Sequence, residues 1–319
     1  MIEFKNLPNL FKIMSKRIVS FLPSATELLY EFGVEDELFG VTHECKFPHD
    51  TTRKPIIINS AINSDELTSK EIDTMTCQLL NDKKDIFVID ERNLKNANPD
   101  LIISQKTCEV CAAHTNQVNR AIQILQTNPI IHSMDPHNMQ EILESVTELG
   151  KILGRELKAR EITEFLEKRI QNIRKCTNNE KPKVLAIEWV EPFFTAGHWI
   201  PEMIEMAGGI SMISKTGEHS RRLDFQEIIN ADPDIIITMP CSFDITRTIS
   251  EYNNILKKDE RLATLKAVRN NQVFGVDANS FFSKPSIRTV EGLEILAKII
   301  QPDEFEDLQV SENSFSQFT

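Results

Sequence analysis

One stretch of this chain occurs twice. "PDLIISQKTC", residues 99–108, returns as "PDIIITMPC", residues 233–241. Each copy opens on a turn-forming Pro-Asp pair, runs through unbroken apolar residues and ends on a cysteine. A short apolar run bounded by turn signals predicts a buried strand of a parallel sheet. The helix "ELLYEFG" at 27–33 likewise has its counterpart in "EMIEMAG" at 202–208. A repeat at this spacing predicts two similar α/β units rather than one continuous sheet.

The rest of each half follows the same programme. "RIVSFLP" reads as a strand and "SATELLYEFGV" as a helix, with Ser24 as its cap, Glu27 three positions on and Gly33 as its stop. "ELFGVTHEC" and "DIFVID" supply further strands. In the second half "KPKVLAIEWV" and "NQVFGVDANSFF" are strands, and "HWIPEMIEMAGG" is a helix closed by glycines. Strands alternating with helices predict parallel sheets covered on both faces.

Between the halves, Ile142, Val146, Leu149, Ile152 and Leu153 recur at helical spacing, and after Gly154 the stripe resumes at Leu157, Ile162, Phe165, Leu166, Ile170 and Ile173. Gly154 is expected to break this segment in two. The second helix then acts as a stiff bridge. The expected organisation is an α/β lobe over 1–154, a connecting helix over 155–176, a second α/β lobe over 177–305, and a flexible acidic tail over 306–319.

Open parallel sheets bind ligands outside the carboxyl ends of their strands. The residues that follow the strands here are "PSATE", "THECKFP" and "QKTCEVC" in the first half, then "EWVEPFFTAGHW", "GEHSRR", "MPCSFD" and "DANSFFSKP" in the second. Both tryptophans, four of the six cysteines and three of the seven histidines fall in these segments. Such residues are drawn to pockets rather than to a plain surface. Candidate ligand contacts are therefore Ser24, Thr26, Glu27, His43, Glu44, Cys45, Cys108, Glu188, Trp189, His198, Trp199, Cys241, Asn279 and Phe281. Cys45, Cys108, Cys111 and Cys241, with His43 or His198, could alternatively hold zinc or an iron–sulfur cluster, because soft thiolates favour those metals.

A net charge of −12 argues against a nucleic-acid partner. No apolar run approaches the length of a membrane span. GxGxxG, GxxxxGK[ST] and GxSxG are all missing from the sequence, so binding rather than catalysis is expected. The first residues lack the pattern of a secretory leader, which gives an expectation of a cytoplasmic protein, or an extracytoplasmic one if its export signal is missing from this chain.

"FLPSATELLYEFG", "GVTHECKFP", "PDLIISQKTCEVCA", "LAIEWVEPFFTAGHWIPEMIEMAGG", "PDIIITMPCSFD" and "VDANSFFSKPSIRTVEGLEILA" together resemble the cobalamin-binding branch of the substrate-binding proteins of ABC transporters. The resemblance runs from about Arg17 to Phe305. It implies two Rossmann-like lobes joined by one rigid long helix, with little hinge motion. It also implies a cobalamin, another corrinoid or a related metal chelate held between the lobes, and an ABC transporter permease as partner. Trp189, Trp199, Phe281 and Phe282 would then cover the faces of the ring. This chain carries Lys46 after "HEC", where the resemblance leads one to expect an acid.

Overall fold

The computed structural model of the protein describes residues 16–105, 115–176 and 180–318. Strands β1 (Ile18–Ser20), β2 (Leu38–Thr42), β3 (Ile56–Ser60), β4 (Phe87–Ile89), β5 (Leu101–Gln105) and β6 (Ile130–Met134) form one sheet in the order β4-β3-β2-β1-β5-β6. Helices α1 (Pro23–Glu31), α2 (Ser69–Asn81), α3 (Glu91–Ala97), α4 (Thr115–Leu125) and α5 (Met139–Leu153) accompany it. After α6 (Glu156–Cys176), the second lobe contains β7 (Lys183–Val190), β8 (Phe193–Thr195), β9 (Ile210–Ser211), β10 (Ile235–Thr238), β11 (Val273–Val276) and β12 (Phe315–Phe318). These run β12-β11-β10-β7-β8, with β9 beside β7. Its helices are α7 (Ile200–Met206), α8 (Phe225–Ala231), α9 (Ile245–Asn254), α10 (Lys266–Arg269), α11 (Ala278–Phe281) and α12 (Thr289–Ile300).

The two α/β lobes are as expected, and the repeated segment forms β5 and β10, each buried along its whole length. Pairing is parallel through the middle of both sheets. Antiparallel pairs occur at β3–β4, β7–β8 and β11–β12, each of which ends its sheet. An antiparallel neighbour needs no crossover helix, so an edge can accept a strand that arrives from a short turn or a chain terminus.

Gly154 ends α5 with φ of +67°, and α6 begins two residues later. At about 1.5 Å per residue, the 21 residues of α6 extend roughly 31 Å. Its buried face carries Ala159, Ile162, Leu166, Ile170 and Ile173, whereas Leu157 and Phe165 point to solvent. The approach of α5 to α6 depends on Gly150, where a Cβ would lie 2.5 Å from the Cβ of Ala159. One apolar core then continues through both lobes. It joins Leu29 and Ile103 of the first lobe to Leu149 and Leu166, and these to Leu293, Ile237 and Val276 of the second.

Two local expectations are corrected. Ser24 does not cap α1: the helix starts at Pro23, with Leu22 in the capping position and no side-chain cap. Proline suits the first helical turn, where its missing N–H would have no partner, and this moves Ser24 inside the helix with its buried hydroxyl unpaired. Nor is 306–319 a frayed tail, because Phe315–Phe318 adds β12 to the edge of the second sheet. Acidic composition predicted solvation, but the strand opens and closes on aromatic residues, Phe315 and Phe318. Phe318 is buried and stacks on Tyr252 with centroids 4.0 Å apart. Phe318→Ala is expected to lower stability to urea by about 3 kcal/mol, in the range for buried Phe-to-Ala changes. A change below about 0.5 kcal/mol would show that the strand contributes nothing to the fold.

Candidate ligand cleft

The carboxyl ends of β1, β2 and β5 face those of β7, β10 and β11 across the junction of the lobes, and two narrow chambers lie there. The first is walled by Gln105 of the first lobe and by Glu188, His198, Trp199, Met239, Cys241 and Phe282 of the second. The second lies between Glu27, Glu44, Cys45 and Lys46 on one side and Asn279, Lys284 and Arg288 on the other. Both chambers are bounded by the segment 279–288.

Several predicted residues reach these walls by identifiable local devices. The turn before α7 brings His198 and Trp199 into the first chamber. His198 has a φ of +55°, and its N–H donates to the Glu218 carbonyl at 2.6 Å. Gly197 permits this, since a Cβ there would lie 2.5 Å from the same carbonyl oxygen. Trp199 is fixed by its indole N–H, which donates to the Phe282 carbonyl at 3.2 Å. Glu188 accepts from the Ser220 hydroxyl at 2.7 Å and from the Gly197 N–H.

Other predicted residues serve different ends. His43 lines neither chamber. Its Nδ1 lies 3.2 Å from the Ile58 carbonyl, and its ring tilts against Phe87. Thr26 is buried with its hydroxyl 3.1 Å from the Cys45 sulfur. Phe281 packs in the core while its neighbour Phe282 faces the first chamber. Trp189 is a contact between lobes, with its indole N–H donating to the Ser69 carbonyl at 3.1 Å and its ring edge-on to Phe243.

Burial shifts the titrating groups of the walls. It pushes the Glu188 carboxyl and the Cys45 thiol upward, with hydrogen bonds opposing it in both cases. His198 is held down at about 4 by burial first and by the nearby His219 and His137 next. Cys45 and Cys241 line different chambers. No group of three His, Cys, Asp or Glu among the described residues is placed to hold a metal ion. The alternative of a zinc or iron–sulfur site on Cys45, Cys108, Cys111 and Cys241 needs Cys108 and Cys111, which lie outside the described residues.

Polar contacts close the cleft on both sides. Arg288 makes a bidentate pair with Glu27 at 2.5 and 3.0 Å, with side-chain exposures of 19% and 4%. The Ser242 hydroxyl donates to Glu44. On the other side α2 lies across the mouth. Ser69 donates to Glu251 at 2.8 Å, Arg222 meets both oxygens of Asp73, and Arg247 donates to the Leu67 carbonyl. Arg288, Ser69, Arg222 and His137 did not emerge from the sequence. His137 follows β6 and so obeys the same strand-end rule, but that strand was not recognised. Removing one partner of a buried ion pair strands the other. Glu27→Ala is therefore expected to cost about 3 kcal/mol of stability, and Glu27→Leu combined with Arg288→Met to recover most of it, as read by urea unfolding. Equal losses in the two variants would show that the pair is incidental.

Comparison with known proteins agrees with this geometry. The family described as "Periplasmic binding protein" matches residues 18–280. The uncharacterized ABC transporter substrate-binding lipoprotein YvrC of Bacillus subtilis is 24% identical over 300 residues, covering 92% of this chain and 82% of that protein. The vitamin B12-binding protein of Vibrio cholerae is 20% identical over 283 residues, covering 88% and 87%. Among solved structures, a periplasmic heme-binding protein of Pseudomonas aeruginosa superposes with a TM-score of 0.71 at 14% identity, covering 95% of this chain and 98% of that one. The expectation of a cytoplasmic protein is overturned, because the matching family is periplasmic and the B. subtilis relative is a lipoprotein. A match across the binding fold outweighs the composition of the first residues. Two lobes with a cleft between them and a family match over most of the length lead to one conclusion: the chain belongs to the periplasmic binding protein family.

Proposed function

We propose that this chain captures cobalamin or a related metal chelate between its lobes and hands it to an ABC transporter permease. The observation that carries the reading is the first chamber, where Trp199, Met239 and Phe282 form an apolar wall beside the polar Gln105 and Glu188. A wall of that kind suits a flat ring with apolar faces and a polar rim, since a few placed polar groups orient a ligand held mainly by apolar contact. The vitamin B12-binding relative supports a corrinoid. Glu27, Glu44, Cys45 and Asn279 of the second chamber would meet the ligand's periphery. Ser24, Thr26, His43, Trp189 and Phe281 would act indirectly, by shaping and closing the cleft.

Haem is the second reading, and His198 is what favours it. Its imidazole is held neutral at pH 7 in the chamber wall and could ligate iron. The heme-binding structural neighbour is consistent with that choice. Titration with cyanocobalamin and, separately, with haemin distinguishes the readings through the visible spectrum of each chelate. Micromolar or tighter binding of cyanocobalamin is expected, weakened about tenfold or more by Trp199→Ala, because loss of a large aromatic contact commonly costs above 1.4 kcal/mol. Tight haemin binding with none of cyanocobalamin would select the second reading. Failure of both would overturn the proposal.

A further inference from the structure

The two chambers are small, about 40 and 170 Å³. Sites for drug-sized ligands typically hold about 300 to 1,000 Å³. A ligand of that size enters only if part of the cleft moves. The lobes themselves are joined through the apolar cluster to which α5, α6 and α12 contribute. The helix that covers the mouth, α2, is attached differently.

Residues 62–85 leave the first sheet between β3 and β4 and return to the same point. The two strands pair antiparallel there, Ser60 opposite Phe87, and the Ala61 N–H donates to the Ile86 carbonyl at 2.8 Å. Ile62 and Ile86 are buried at this base. Beyond it, α2 packs extensively on no other strand or helix among the described residues. Ser69 is its one buried residue, and Leu79 is its one contact with a core cluster. Thr68 and Glu71 cap its first turn reciprocally, so those N–H groups need no partner outside the segment.

What holds α2 is a row of polar contacts with the second lobe. Ser69 is central to it. Its hydroxyl donates to Glu251 of α9 at 2.8 Å, and its carbonyl accepts the indole N–H of Trp189 at 3.1 Å. Arg247 of α9 donates to the Leu67 carbonyl at 2.8 Å, and Arg222 donates to both oxygens of Asp73. Trp189 and Phe243, which meet edge-on, follow the chamber-wall residues Glu188 and Cys241 by one and two positions. These contacts therefore close at the rim of the first chamber.

We propose that residues 62–85 form a hinged lid, latched by Ser69 to Trp189 and Glu251, whose release admits the ligand to the cleft. The inference rests on the cleft being the ligand site. A segment with few apolar contacts, held mainly by hydrogen bonds, opens ahead of the core. A lid that gates entry slows association as well as dissociation, whereas a plain wall contact acts mainly on dissociation.

Two altered chains test the lid. In one, an Asn-Gly turn replaces residues 62–85 and joins Ala61 to Ile86 as a two-residue hairpin. In the other, Ser69→Ala with Arg247→Gln loosens the latch and keeps the helix. Stopped-flow mixing with cyanocobalamin is expected to show association at least about tenfold faster in both than in the unaltered chain. Trp189 supplies a readout without ligand. In a Trp199→Phe background, the latch variant is expected to shift Trp189 emission to the red and to raise its quenching by acrylamide. Association within about twofold of the unaltered chain in the latch variant would overturn the lid, even if dissociation quickens. Should the shortened chain not fold, the latch variant decides. Absence of cyanocobalamin binding in every chain would count against the ligand instead. Unchanged Trp189 quenching would then overturn the lid, and raised quenching would support it.

Discussion

The lobes are held in register by a shared apolar core rather than by anything in the cleft. Leu149 of α5, Leu166 of α6 and Leu293 of α12 belong to one buried cluster that reaches the sheets on both sides. Each such side chain contributes on the order of 2 kcal/mol when fully buried. The contacts that close the cleft are weaker in kind. Most are partly exposed hydrogen bonds or ion pairs, worth about 1 kcal/mol or less each. Glu27–Arg288 and Ser69–Glu251 are exceptions among them, because both partners of each are largely buried.

Burial also sets the chemistry of the walls. Removing water from Glu188, Cys45 and His198 disfavours the charged form of each. His137, His198 and His219 meet at the lobe boundary, one ring from the first lobe and two from the second.

Local signals identified the elements that are buried and regular. β5 and β10 are short apolar runs between turn signals, and Gly154 stands at a helix end in the left-handed conformation, so both could be read residue by residue. β3 and β6 escaped recognition. β6 is an edge strand with Ile130 and Ile131 exposed, and its His132 and Ser133 break the apolar run. Of the strand-end residues, His198, Trp199, Glu188 and Cys241 do come to one chamber. His43 and Trp189 sit in equally promising segments but turn to Ile58 and Ser69 instead. Residue type and position in a segment do not specify a rotamer. That is decided by which carbonyl or ring lies within reach.

The sequence alone determined that there are two α/β halves, that a long helix separates them, and which strand ends carry sulfur, imidazole and indole groups. These follow from periodicity and turn chemistry, which act over a few residues. Only the tertiary structure decided that α2 crosses the mouth, that Arg288 meets Glu27 from 261 positions away, that the last residues return as β12, and that three histidines gather at the lobe boundary. Those contacts join residues far apart in the chain. They depend on how the shared core orients the lobes, which no local pattern encodes.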